Sequence, residues 1–108
     1  MKLYGLKTCD TCRKALKALE QAGTPATFVD VRADGITAAE RAEFLSAFGA
    51  ALINTRSTTW RGLDADERAR APEALLESHP TLMKRPVIRA GEALYLGWGK
   101  DTQAALLG

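Results

Sequence analysis

The chain has 108 residues, of which 46% are hydrophobic and 26% charged, and its 15 Lys and Arg against 13 Asp and Glu leave a net charge of +2. That length suits one core, the usual content of a domain of about 100–150 residues, and a balance this near neutrality, with acids interleaved among bases, argues against nucleic acid as a partner. No apolar run approaches the roughly 18 residues of a membrane span, and the N-terminal segment is too short for an export signal, so no membrane contact and a cytoplasmic location are expected.

Lys2-Leu3-Tyr4-Gly5-Leu6 has the composition of a short strand. From Thr11 to about Ala22, Cys12, Ala15, Leu16 and Leu19 recur at helical spacing, with Arg13, Lys14, Lys17 and Glu20 outward. Gly23 and Pro25 stop that helix, and Phe28-Val29-Asp30-Val31 reads as a second strand, parallel to the first. Thr37-Ala38-Ala39-Glu40 has the form of a capping box ahead of a helix with Phe44, Leu45 and Phe48 on one face, ending at Gly49. Asn54 to Gly62 is polar and loop-like around Trp60, and short helices are expected near Asp64–Arg70 and from Pro72. Arg85–Arg89 and Ala93–Leu96 form a hairpin across Ala90-Gly91-Glu92, followed by a helix from about Lys100 to Leu107. The order is βαβ, an all-helical insertion at about residues 37–83, then ββα: one α/β domain over residues 1–108.

Chemistry concentrates in Cys9-Asp10-Thr11-Cys12-Arg13-Lys14. A thiol where a strand turns into a helix faces unpaired backbone N–H groups, and Lys7, Arg13 and Lys14 add positive potential; both favour the reactive thiolate. Cys9 is therefore the candidate nucleophile. Cys12, one turn on at the start of the apolar stripe, has two readings: a resolving thiol that attacks a mixed disulfide on Cys9, or a small core residue. No metal is expected, because structural zinc needs four Cys or His ligands and only His79 joins the two cysteines. His79, before Pro80, reads as a surface loop residue, and Trp60 as a structural anchor.

Leu3-Tyr4-Gly5 with Cys9-Asp10-Thr11 and Lys14-Ala15, then Asn54-Thr55-Arg56-Ser57-Thr58-Thr59-Trp60-Arg61, then Lys84-Arg85-Pro86-Val87, resemble the ArsC/Spx family, and most its YffB-like branch of small thiol reductases. The resemblance implies a thioredoxin-like fold with a mixed four-stranded sheet, Cys9 as catalytic cysteine, and a cis-Pro86 whose backbone aligns an incoming sulfur beside Arg85, a planar fork for an anionic ligand. It implies a glutathione-dependent thiol–disulfide reductase, a monomer with no bound cofactor and glutathione as cosubstrate. Arg85 and Arg56 would hold glutathione carboxylates, Arg13 is a further candidate for binding glutathione, and glutaredoxin is a further candidate partner. Two departures leave alternatives open. Arsenate reductases of this family carry the loop arginine where this chain has Asn54, and a further arginine where it reads Tyr95-Leu96-Gly97-Trp98. Cys12 matches instead the CxxC of the Spx regulators, which bind RNA polymerase; YffB-like proteins carry an apolar residue there.

Overall fold

A computed structural model describes all 108 residues. Its elements, in chain order, are β1 (Lys2–Gly5), α1 (Asp10–Gln21), β2 (Thr27–Asp30), α2 (Ala38–Phe48), α3 (Thr58–Arg61), α4 (Ala65–Arg68), α5 (Pro72–Ser78), β3 (Val87–Ala90), β4 (Ala93–Leu96) and α6 (Lys100–Leu107). The chain divides into two compact units, one of residues 1–34 with 85–108 and one of residues 35–84.

The first unit holds the sheet, in the order β2-β1-β3-β4. β1 and β2 are parallel, as a strand–helix–strand run requires, and β3 pairs antiparallel with both β1 and β4. Leu3 lies opposite Ile88, and Ile88 opposite Tyr95, so one face carries an apolar row. Leu3 and Ile88 pack with Cys12, Ala15 and Leu19 of α1 into a fully buried cluster, joined by the half-buried Leu16, Tyr95, Trp98 and Leu106. The α/β arrangement with a mixed four-stranded sheet is thus observed as expected. β3 begins at Val87 rather than Arg85; Pro86 has no N–H to give to a ladder, and the Arg85–Pro86 bond is cis.

The second unit is helical. Thr37 and Glu40 form the expected capping box: the Thr37 hydroxyl accepts from the Glu40 N–H at 3.1 Å and the Glu40 carboxylate from the Thr37 N–H at 3.0 Å. Gly49 ends α2 with φ of 58°, a conformation open to glycine. Only Phe44 of the expected apolar face is fully buried; Leu45 and Phe48, flanking it, stay half-exposed. The polar stretch around Trp60 is not all loop, because Ser57 accepts from the Trp60 N–H and caps the single turn of α3. A bridge between Ile53 and Met83, flanked by bonds from Asn54 N–H to Leu82 O and from Lys84 N–H to Leu52 O, joins the segment after α2 to the last residues of the unit. No helix is long and apolar enough to cross a membrane.

Candidate active site

Cys9 is the N-cap of α1, with extended backbone (φ −86°, ψ 115°). Its own N–H bonds Leu6 O at 3.1 Å and its carbonyl accepts from the Arg13 N–H at 3.1 Å, so the residue is held at both ends while the side chain stays half-exposed. No side chain caps the helix.

Partial burial is the largest single influence on this thiol and opposes its ionisation. It is outweighed by hydrogen bonds from the Cys12 backbone N–H, the Cys12 thiol and the Arg85 side chain, together with the Arg85 charge, so that the pKa lies below the ordinary cysteine value. Arg85 comes from the segment leading into β3, whose antiparallel register with β1 returns it to the end of the sheet from which Cys9 emerges. Its Nε is closed to solvent.

Cys12 is the opposite case. It is completely buried, and its thiol is pushed up to about 12, first by burial and then by the bond to the charged Cys9 sulfur, although the Leu6 N–H acts the other way. Of the two thiols, Cys9 is therefore the one that ionises first, while Cys12 keeps its proton. A Cβ on Gly5 would come within 2.4 Å of the Cys12 sulfur, so only glycine at position 5 lets α1 approach β1 this closely. The sequence did contain that signal: a glycine inside a strand marks close approach of another chain segment.

The remaining candidates divide. Pro86 lies beside Arg85 in the thiol unit, and its carbonyl accepts from the Gly97 N–H at 2.8 Å. Arg13 is exposed on α1 and paired with Asp10. Arg56 belongs to the helical unit, where its N–H is bound by the Asn54 side chain at 3.0 Å, and it lines a hollow of about 460 Å³ with Ala51, Ile53, Asn54, Thr55 and Lys84. Trp60 in that unit lies under Arg68, whose guanidinium is 5.4 Å from the ring centre. His79 has a partner that its sequence surroundings do not reveal: its Nε2 meets the Glu67 carboxylate at 2.9 Å. No group of three or more His, Cys, Asp or Glu side chains gathers as a metal site would need.

Comparison with known proteins gives the family of the chain. Residues 4–106 match the ArsC family. An uncharacterised protein of Haemophilus influenzae is 37% identical over 109 residues, covering 95% of this chain and 96% of its own. The global transcriptional regulator Spx of Streptococcus pneumoniae is 28% identical, across 97% of this chain and 84% of its own length. Among solved structures, a YffB protein superposes with a TM-score of 0.86 at 30% identity, covering 98% of this chain and 97% of that one. A protein of Brucella melitensis described as related to arsenate reductase gives 0.73 at 32% identity, covering 97% and 93%. The chain belongs to the ArsC family.

Proposed function

We propose that this ArsC-family chain is a cytoplasmic thiol–disulfide reductase with Cys9 as nucleophile and glutathione as cosubstrate. The single observation that carries the reading is the Cys9 sulfur, half-exposed at a helix start and ionised below the ordinary thiol value by Cys12 and Arg85. In the first step the Cys9 thiolate bonds to one sulfur of a disulfide, the S–S bond breaks, and the other sulfur leaves as a thiolate that takes a proton from solvent. A glutathione thiolate then attacks the substrate-derived sulfur of the mixed disulfide and frees the Cys9 thiolate. Where that sulfur is glutathione's own, oxidised glutathione forms at once; otherwise a second glutathione displaces the remaining substrate thiolate, so that oxidised glutathione and the free thiol are the products. Once Cys9 is in a disulfide, its charge no longer raises the Cys12 thiol while burial, the larger influence, still does, and in the alternative route Cys12 does the resolving. Arg85 balances charge at the reacting sulfur and holds a glutathione carboxylate, Pro86 aligns the incoming sulfur, and Arg13 on the same unit is a further candidate for binding glutathione. The reaction needs neither a metal nor a bound organic cofactor and runs in a monomer.

Turnover of a glutathione mixed disulfide by Cys9→Ser is the test: the rate should fall to that without protein, and an undiminished rate removes the reading. Arsenate-dependent oxidation of glutathione in the same assay would assign arsenate as substrate instead. Intact mass after exposure to oxidised glutathione separates the routes, a gain of one glutathione marking Cys9 alone and a loss of two hydrogens marking Cys9 with Cys12. A second reading, a redox-responsive regulator that binds RNA polymerase, draws on the hydrogen-bonded Cys9–Cys12 thiol pair and the likeness to Spx. Retention of polymerase subunits on the immobilised chain would favour it.

A further inference from the structure

Three chain segments meet at one end of the sheet. Tyr4 lies opposite Val87 and Val87 opposite Leu96, so the exit of β1, the entry of β3 and the exit of β4 share that end. The first leads to Cys9, the second carries Arg85 and Pro86, and the third carries Gly97 and Trp98. The third is tied down from both sides: the Gly97 N–H bonds Pro86 O at 2.8 Å, and the Gln103 side chain of α6 donates to Trp98 O at 2.9 Å. Gly97 turns the chain there with φ of 82°, which a side chain would resist. Cys9 and Trp98 pack against the same buried cluster of Leu3, Cys12, Ala15, Leu19 and Ile88, and each keeps part of its surface in solvent. From Ala93 to Gly99 no side chain carries a charge. The thiol end of the sheet therefore offers Arg85 on one segment and, on another whose backbone is tied down, a partly open indole.

We propose that Trp98 is the specificity-determining wall of the thiol site, its indole receiving the apolar part of the organic thiol that is disulfide-bonded to glutathione. This deepens the reductase reading and rests on it. An indole face attracts both hydrocarbon and divalent sulfur, whereas a small oxyanion gains nothing from it. A disulfide of glutathione with an apolar thiol is thus preferred to one with a polar thiol.

The test compares glutathione mixed disulfides of benzyl mercaptan and of 2-mercaptoethanol. Trp98→Leu should raise KM for the benzyl substrate about tenfold, the loss expected for one aromatic contact, with kcat and the mercaptoethanol reaction little changed. Trp98→Phe should recover most of that loss. A benzyl KM that does not move in Trp98→Leu, or an equal loss on both substrates, overturns the assignment. A second arm does not depend on turnover: the rate of Cys9 alkylation by N-benzyliodoacetamide, relative to iodoacetamide, should fall severalfold in Trp98→Leu. An unchanged ratio overturns the Trp98 wall by itself. If the ratio falls while the wild-type chain reduces neither disulfide, the wall stands and the reductase reading fails. The pH profile of iodoacetamide alkylation should be the same in the variant and the wild type; a shifted profile would show that Trp98 acts through the thiolate, against the proposal.

Discussion

The two units of this chain both bury apolar side chains but differ in the polar bonds that frame them. In the thiol unit a ladder of backbone pairs builds the sheet, and apolar side chains close over it. In the helical unit α3 and α4 have four residues each, too short to persist by propensity, and side chains complete them. Ser57 and Asp64 cap their starts, Arg68 donates to the carbonyl of Trp60 at 3.1 Å, and Arg41 joins α2 to α5 through Glu73 at 2.8 Å. Polar side chains in the second unit are spent on its own architecture. In the first, the backbone does that work and leaves Cys9 and Arg85 to set the state of one sulfur. A reactive group is easiest to tune where the frame does not need it.

The largest effect should come from the tightest contact of the thiol unit. Gly5→Ala drives a methyl group into the Cys12 sulfur and should destabilise by about 1–3 kcal/mol, as overpacking does. Combined with Cys12→Ala, much of that loss should return. Strictly additive losses in chemical denaturation would mean that the two residues do not meet. The matching test of the helical unit is Arg41→Met. Arg41 is 12% exposed, bonds Glu73, and donates to Ile36 O at 2.6 Å, so the variant should lose about 2 kcal/mol. It should leave the pH profile of Cys9 alkylation where it was, and a shifted profile would break the division of labour between the units.

Arg85→Gln should do the reverse, costing little stability but moving the alkylation midpoint up in pH. The lowered Cys9 pKa makes thiolate available at lower pH, and removing one of its causes shrinks that advantage; a shift of one pH unit corresponds to about 1.4 kcal/mol. A midpoint that stays put would leave the ionisation to the Cys12 groups alone. The smallest effect is expected at Glu67, whose carboxyl is held below its ordinary range by the bond to His79 and then by Arg70. Its contribution is complete above the carboxyl pKa of the unfolded chain and fades as pH falls through the lower folded value. The melting temperature of Glu67→Gln should therefore lie slightly below wild type at pH 7 and converge with it in acid. A gap that persists at low pH would rule out an ionic origin.

Local features were the ones legible in the sequence. The apolar spacing that predicts a helix over 11–22 matches Asp10–Gln21, the capping box at Thr37 forms, and Ala93–Leu96 and Lys100–Leu107 have their expected bounds. Such signals lie within a few residues of the structure they specify, because caps and periodicity act over one or two helical turns. The partnership of His79 with Glu67 was not legible, nor was the turn of α3, since each depends on where a second segment comes to rest.

The thiol site divides along the same line. A cysteine where strand gives way to helix, with cations nearby, is enough to nominate Cys9, because the free N–H groups of a helix start are a property of chain order alone. The contrast between the two sulfurs required the fold. Cys12 is forced into the space that Gly5 leaves empty and loses its access to water, while Arg85 reaches Cys9 only because β3 pairs antiparallel with β1. Desolvation and charge act through space, and distance along the chain carries no measure of either.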